Sequence, residues 1–456
     1  MLDRRIIVSV AVLLSVIVVA GVYGTEYLGA LVLTAVVSGI LLVLLRRFSD
    51  QPDFVSKVFF VALGARLLFG LLLYAFDLQS FFGGDAVTYH FRGQLLSDYW
   101  LGVAPADSSE LAKATSVAGP GWGMTYFVGV IYLLTGGSFL AAQSVAGVFG
   151  AATAPLVYLC ANQVFENRQV SRMSAYFIAL FPAFVIWSGQ LLKDGLIVFL
   201  LVLVMLLVLR LQQKFSYLAI VILILALGGI ISLRFYIFYM VAAAVAGSFV
   251  IGTSSTRGSL FRRVSALIIA GVALTYLGVV RTATTDFDKY GDLERIQVSR
   301  QDLARSADSG FGEDVDVSTT AGAITAIPIG FAVLMLAPFP WQFSSFRQSI
   351  TIPEVLLWWF LLPMMCWGIW YAIKHKLRSA FPILVFSGML TLAYSIFQGN
   401  VGTAYRQRTQ IQVFLFMFIS VGWVLLKEKR EDRKLINQAK RKRVDPIFTP
   451  EASSYR

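Results

Sequence analysis

The chain has 456 residues, of which 57% are hydrophobic and only 14% charged, with a mean hydropathy of +0.74. A soluble domain carries about 25% charged residues, so this composition excludes one and indicates a polytopic membrane protein, all-α and built as a bundle of helices. The formal net charge of +12 does not indicate nucleic acid, because the basic residues gather at the ends of apolar runs and in the C-terminal tail, as the inward bias of Lys and Arg predicts.

A spanning helix needs about 20 apolar residues. Suitable runs cover 6–23, 28–45, 58–76, 140–164, 172–189, 194–211, 217–232, 236–252, 264–280, 354–373, 380–397 and 409–426. The first follows Arg4-Arg5, lacks a small-x-small cleavage pattern and is soon followed by a second run, so it reads as an anchor helix. Two further apolar stretches are shorter. Glycines interrupt 122–135, and 325–340 contains Pro328, Pro338 and Pro340. With both lying in the interface or dipping back, twelve spans remain and both termini are cytoplasmic. Arg46-Arg47, Arg168/Arg172, Arg210/Lys214, Arg257/Arg262/Arg263 and Lys374/Lys376/Arg378 then all fall inside. If 122–135 spanned, several of these groups would move outside, against the bias. The expected organisation is one membrane domain, 1–426, with external loops 77–139 and 281–353, and a basic cytoplasmic tail, 427–456. Cys160 and Cys366 both lie in apolar runs and form neither a disulfide framework nor a metal motif.

The external face collects the unusual residues. Gly83-Gly84 ends an apolar helix and is followed by Asp85, Tyr89, His90 and Arg92. An Asp in that place either caps the next helix or acts as a general base or metal ligand. His90 is the one external histidine, and its ordinary role would be a local hydrogen bond. Lys193-Asp194 opens a strongly apolar helix, where a charged pair is costly unless it lies at the interface. Asp194 has the same two readings, cap or site carboxylate. Arg234, Arg406 and Arg408 stand outside, on the side where arginine is disfavoured. Positive charge on the wrong side suggests a bound anion, and the forked guanidinium suits phosphate; snorkelling to headgroups is the plain alternative. The acidic segment 281–325 reads as a flexible loop without a catalytic role. Gly-rich phosphate loops, His-Glu-x-x-His and Gly-x-Ser-x-Gly are absent from the sequence.

A spanning helix that runs into an external loop headed by Asp85, and a helix broken at Phe181-Pro182 that leads to Lys193-Asp194, resemble the GT-C class of polytopic glycosyltransferases, especially those similar to glycosyltransferase family 39. The resemblance covers mainly residues 58–212; where the class usually has adjacent acids, this chain has Gly84-Asp85-Ala86. It implies transfer of a sugar from a polyprenyl-phosphate donor to an acceptor outside the cytoplasmic membrane. Asp85 matches the acidic residue early in the first large external loop, and Asp194 the second acidic position. The expected roles follow. Asp85 is the base, and Asp194 assists it or shares a divalent cation with it. Lys193, Arg234, Arg406, Arg408, Tyr89 and His90 bind substrate. The acceptor is a glycan, lipid or protein. Two other readings stay open: a polysaccharide polymerase or ligase using the same donors, and a flippase. The near-absence of charge from span centres and of an inverted repeat speaks against the flippase.

Overall fold

The computed structural model describes residues 25–82, 84–104, 109–117, 121–251, 293–305, 309–312, 315–339, 341 and 346–444. The expected spans 6–23 and 264–280 lie outside the described residues. Among those described there are sixteen α-helices and, apart from one isolated bridge between Gly310 and Asn400, no strand. The all-helical expectation therefore holds.

In chain order, α1 (Thr25–Arg47) and α2 (Pro52–Ala75) form a hairpin. Then come α3 (Asp85–Trp100), α4 (Ser109–Thr115) and α5 (Trp122–Thr135). They are followed by α6 (Phe139–Phe165), α7 (Arg168–Leu180), α8 (Pro182–Ser188) and α9 (Lys193–Gln213). Next are α10 (Tyr217–Leu233), α11 (Phe235–Ile251), α12 (Leu293–Arg305) and α13 (Thr320–Leu336). The chain closes with α14 (Phe346–His375), α15 (Leu377–Phe397) and α16 (Val401–Val444). Seven of these, α1, α2, α6, α9, α14, α15 and α16, are long and apolar enough to cross a membrane, and α7 with α8 makes an eighth if that pair, bent by 53°, is one span. The starts follow from short polar side chains. Ser138, Asn167, Ser216 and Thr319 cap α6, α7, α10 and α13 by accepting backbone N–H groups.

Buried share separates interior from periphery. The apolar windows of α6, α9 and α16 are 89%, 83% and 83% buried, against 22% for α1 and α14. Helix α6 takes the centre because it is rich in small residues. Gly147, Gly150, Ala151 and Ala154 let neighbouring backbones approach, and at Gly150 a Cβ would strike Ser188.

Polar contacts define two ends. At one, Arg168 pairs with Asp50 at 3.2 Å, Arg172 donates to Gln51, Arg210 donates to the Phe48 carbonyl and Lys376 pairs with Glu166 at 2.9 Å. These are basic residues that the sequence assigns to one side. At the other end lie Asp85, Asp194, Arg234 and Arg406.

Helix α5 does not connect the two ends. Gly121, just before it, lies against Lys193 at the start of α9, and Thr135 at its far end packs on Gly29 near the start of α1. Both contacts are at the Asp85 end. Helix α3 lies along it, with Gly93 so close to Val128 that no Cβ fits. The short stretch 122–135 thus keeps to the Asp85 end of the bundle, with one face buried. Helix α13 dips in and turns back. Its first turns pack with Ile296 and Val317, while its last carbonyls, of Met335 and Leu336, accept the indole N–H groups of Trp358 and Trp359, short of the end where α14 finishes.

One charge does sit inside a span. Pro182 has no N–H, so the bend between α7 and α8 leaves the carbonyl of Ile178 without its helical donor. The buried Arg66 supplies what is missing. It donates to the carbonyls of Ile178 (3.0 Å) and Ala179 (3.1 Å), and to Ser188 Oγ (2.7 Å) on α8. The expectation of span centres nearly free of charge overlooked this residue.

Candidate active site

Neither aspartate is a helix cap. Asp85 is the first residue of α3, but the cap position is Gly84 and no side chain caps it. Asp194 is the second residue of α9, capped at Leu192, again without a side-chain bond. Both carboxylates turn to Arg406 instead. Asp85 Oδ2 accepts from Arg406 Nη1 at 2.7 Å. Asp194 Oδ2 accepts from Nε at 2.6 Å and pairs with Nη2 at 2.5 Å. The second oxygen of Asp194 accepts from Arg234 Nη2 at 3.2 Å.

Arg234 reaches this point because the chain leaves helical geometry there, between α10 and α11. Its Nη1 lies 3.5 Å from the Tyr394 hydroxyl, which donates to Gln410 Oε1 at 2.7 Å. Gln410 is one turn beyond Arg406 on α16, so the two share a face. The contacts therefore close into a ring: Arg406, Asp194, Arg234, Tyr394, Gln410 and back to Arg406 along the helix. The Arg406 guanidinium also lies 5.7 Å from the centre of the Trp187 ring, within cation–π reach.

Lys193 and Tyr89 complete the cluster. Gly121 has φ of +82°, a left-handed conformation that suits glycine, and a Cβ there would stand 3.0 Å from Lys193 Nζ and 3.6 Å from the Tyr89 hydroxyl. Tyr89 shares a face of α3 with Asp85, four residues earlier. Burial, reinforced by Asp85, pushes its hydroxyl pKa up, so it keeps its proton and is a donor. Among the described residues, Lys193 has neither an ion pair nor a hydrogen bond. Three cations thus face two carboxylates, with Lys193 in surplus.

Two expected residues are not brought in. Arg408 is two positions beyond Arg406, about 200° around the helix. It is buried, donates to the carbonyls of Met335 (3.2 Å) and Ala337 (2.9 Å), and lies over the rings of Trp358 and Tyr405. Its work is to hold the end of α13. His90 faces the seam between α3 and α5. Its Nδ1 is 2.6 Å from the Tyr132 hydroxyl, its ring meets Tyr132 and Phe139 edge-on, and burial lowers its pKa.

Other residues escaped the sequence reading. Trp187, Tyr394 and Gln410 sit inside apolar runs, where nothing marks them apart; the i, i+4 spacing of Gln410 to Arg406 is the one available signal. Glu354 read as the first residue of a span, but it is buried and accepts from the Tyr405 hydroxyl at 2.6 Å. For a divalent cation the donor set is poor. No group of three or more His, Cys, Asp or Glu gathers among the described residues, and both oxygens of Asp194 are held by guanidinium groups. That leaves the second oxygen of Asp85.

Residues 121–280 match the family model of dolichyl-phosphate-mannose-protein mannosyltransferases. The matched stretch takes in Lys193, Asp194 and Arg234. Among solved structures, the apo oligosaccharyltransferase of Archaeoglobus fulgidus is similar with a TM-score of 0.47 and 13% identity, over 84% of this chain and 52% of that one. The archaeal oligosaccharyltransferase from Archaeoglobus fulgidus in complex with an inhibitory peptide and a dolichol-phosphate gives 0.44 and 14%, over 89% and 53%. The chain spans about half the length of these structures. No curated protein matches the chain. The resemblance to the GT-C class carried by the sequence is shown by the family match.

Proposed function

We propose that this multi-pass membrane protein of the GT-C glycosyltransferase type moves a sugar from a polyprenyl-phosphate donor to an acceptor hydroxyl, with inversion, on the non-cytoplasmic face of the cytoplasmic membrane. The product would be a cell-surface glycan. The observation that carries the reading is the bridge by Arg406 between a half-exposed and a buried carboxylate, beside a surplus ammonium. The donor's name in the matched family, dolichyl-phosphate-mannose, supports a lipid phosphate as its carrier.

The geometry supports the following roles. Asp85 takes the proton of the acceptor hydroxyl. The freed oxygen attacks the anomeric carbon from the face opposite the phosphate. The bond from that carbon to the phosphate oxygen breaks, and its electron pair goes to the phosphate. One negative charge thereby grows on the leaving group. The surplus Lys193, the Tyr89 hydroxyl and Arg406 surround the place where it develops, and a fixed cation is worth most where charge appears during the reaction. Asp194 assists by holding Arg406 and Arg234 in place. The donor set gives no ground for routing a step through a metal.

Asp85→Asn is the direct test. The side chain caps nothing, so the variant should insert and fold normally. Asparagine accepts no proton, and transfer from a lipid-linked donor in membranes should fall by at least about a hundredfold, the scale of a lost general base. Near-normal transfer would remove Asp85 from the reaction and the reading with it.

A further inference from the structure

We infer that Arg406 has one fixed contact and one exchangeable contact, and that Asp85 and the donor's phosphate take turns on the second. The inference rests on the transfer reaction proposed above. Arg406 is tied to Asp194 through two nitrogens, Nε at 2.6 Å and Nη2 at 2.5 Å. Asp194 is 1% exposed, and its other oxygen is tied to Arg234. Releasing Arg406 from it would leave a buried charge short of its partner, which is strongly unfavourable. The contact to Asp85 differs in each respect. It uses one nitrogen, Nη1, and its carboxylate is 52% exposed at the first residue of a helix. With its carboxylate half in water, this pair is screened and held less firmly than the buried one, and exchanges more readily.

The exchangeable arm sits in the cluster that holds the surplus Lys193 and the Tyr89 hydroxyl. A phosphate oxygen arriving there meets a guanidinium whose plane Asp194 has already set. Taking Nη1 gives the phosphate a charge-assisted bond. The same move leaves both Asp85 oxygens free to face an acceptor hydroxyl. Without donor, the base is occupied; with donor, it is released. The donor therefore prepares the site for the acceptor, and Asp85 at rest lowers the protein's affinity for lipid phosphate. Affinity for a ligand falls by the fraction of time its partner is otherwise engaged.

The test is binding of a polyprenyl monophosphate to the full-length protein in detergent, for wild type, Asp85→Ala, Arg406→Lys and the double variant. Asp85→Ala should bind about two- to fivefold more tightly than wild type, the range of a weak exposed pair. The gain should vanish with Arg406→Lys, which keeps the charge beside Asp194 but has no second arm. Should Arg406→Lys fail to fold, Arg406→Gln takes its place in the cycle. Equal or weaker binding by Asp85→Ala overturns the exchange while leaving the transfer reaction standing. So does a gain that persists without Arg406, because it would come from charge removal alone. A wild-type protein that binds no polyprenyl phosphate overturns both.

Discussion

Two arginines a single residue apart on α16 do different work. Arg406 grips carboxylates and Arg408 grips carbonyls, because the helix turns one away from the other. Replacing each by lysine should separate the roles. Arg406→Lys loses the fork that reaches two carboxylates, each lost charged hydrogen bond being worth about 1.5–3 kcal/mol, so transfer should fall by roughly ten- to a hundredfold. Arg408→Lys should instead lower the unfolding temperature in detergent and leave the turnover of the folded fraction close to normal. Equal losses of turnover in both would contradict the division. The sequence pointed to Arg234 and Arg406 because basic residues are disfavoured on that side of the membrane. It pointed equally to Arg408, since charge placement says nothing about which way a helix is rotated. It also left both aspartates between cap and site, as a carboxylate in a first turn suits either. Gly84 and Leu192 at the cap positions remove the capping reading.

The bent pair α7 and α8 shows the same division at the scale of an element. Pro182 made the break legible. The group that makes it tolerable, Arg66, lies 116 positions earlier in another helix and was not legible, because no local pattern links the two. Arg66→Leu should leave the Ile178 and Ala179 carbonyls unsatisfied, at about 1–3 kcal/mol each. Unfolding in detergent would show the loss, and transfer should drop too, since α8 carries Trp187 and Ser188 toward the site. Pro182→Ala restores an N–H for Ile178, so Arg66→Leu should cost less in that background. An identical cost with and without Pro182 would mean that Arg66 serves something other than the bend. The placing of α5 at one end of the bundle agrees with the sequence argument that making it span would move several basic clusters to the wrong side.

For the whole molecule, the ends are distinct: basic residues paired with loop groups at one, the alternating cluster at the other. Single cysteines in a Cys366→Ser protein would place them. Val103 and Val298 are exposed at the cluster end, and Leu435 is exposed on the extension of α16. An impermeant reagent on intact cells should label cysteines at the first two positions and spare the third. Labelling of only one of the first two would contradict the arrangement. Followed along its contacts from Asp85 through Arg406 and Asp194 to Arg234, the cluster alternates in sign, and its exposure drops from 52% at Asp85 to 15% at Arg406 and to 1% and 8% at the buried Asp194 and Arg234. It is a column that starts in water and ends in a medium of low polarisability. A unit pair 4 Å apart is worth about 1 kcal/mol in water and about 4 kcal/mol at an effective dielectric of 20. Dissolved ions act mainly where water reaches. Ionic strength should thus loosen the topmost step and leave the lower ones intact, so that salt tunes how readily the column opens at its outer end without unbuilding it.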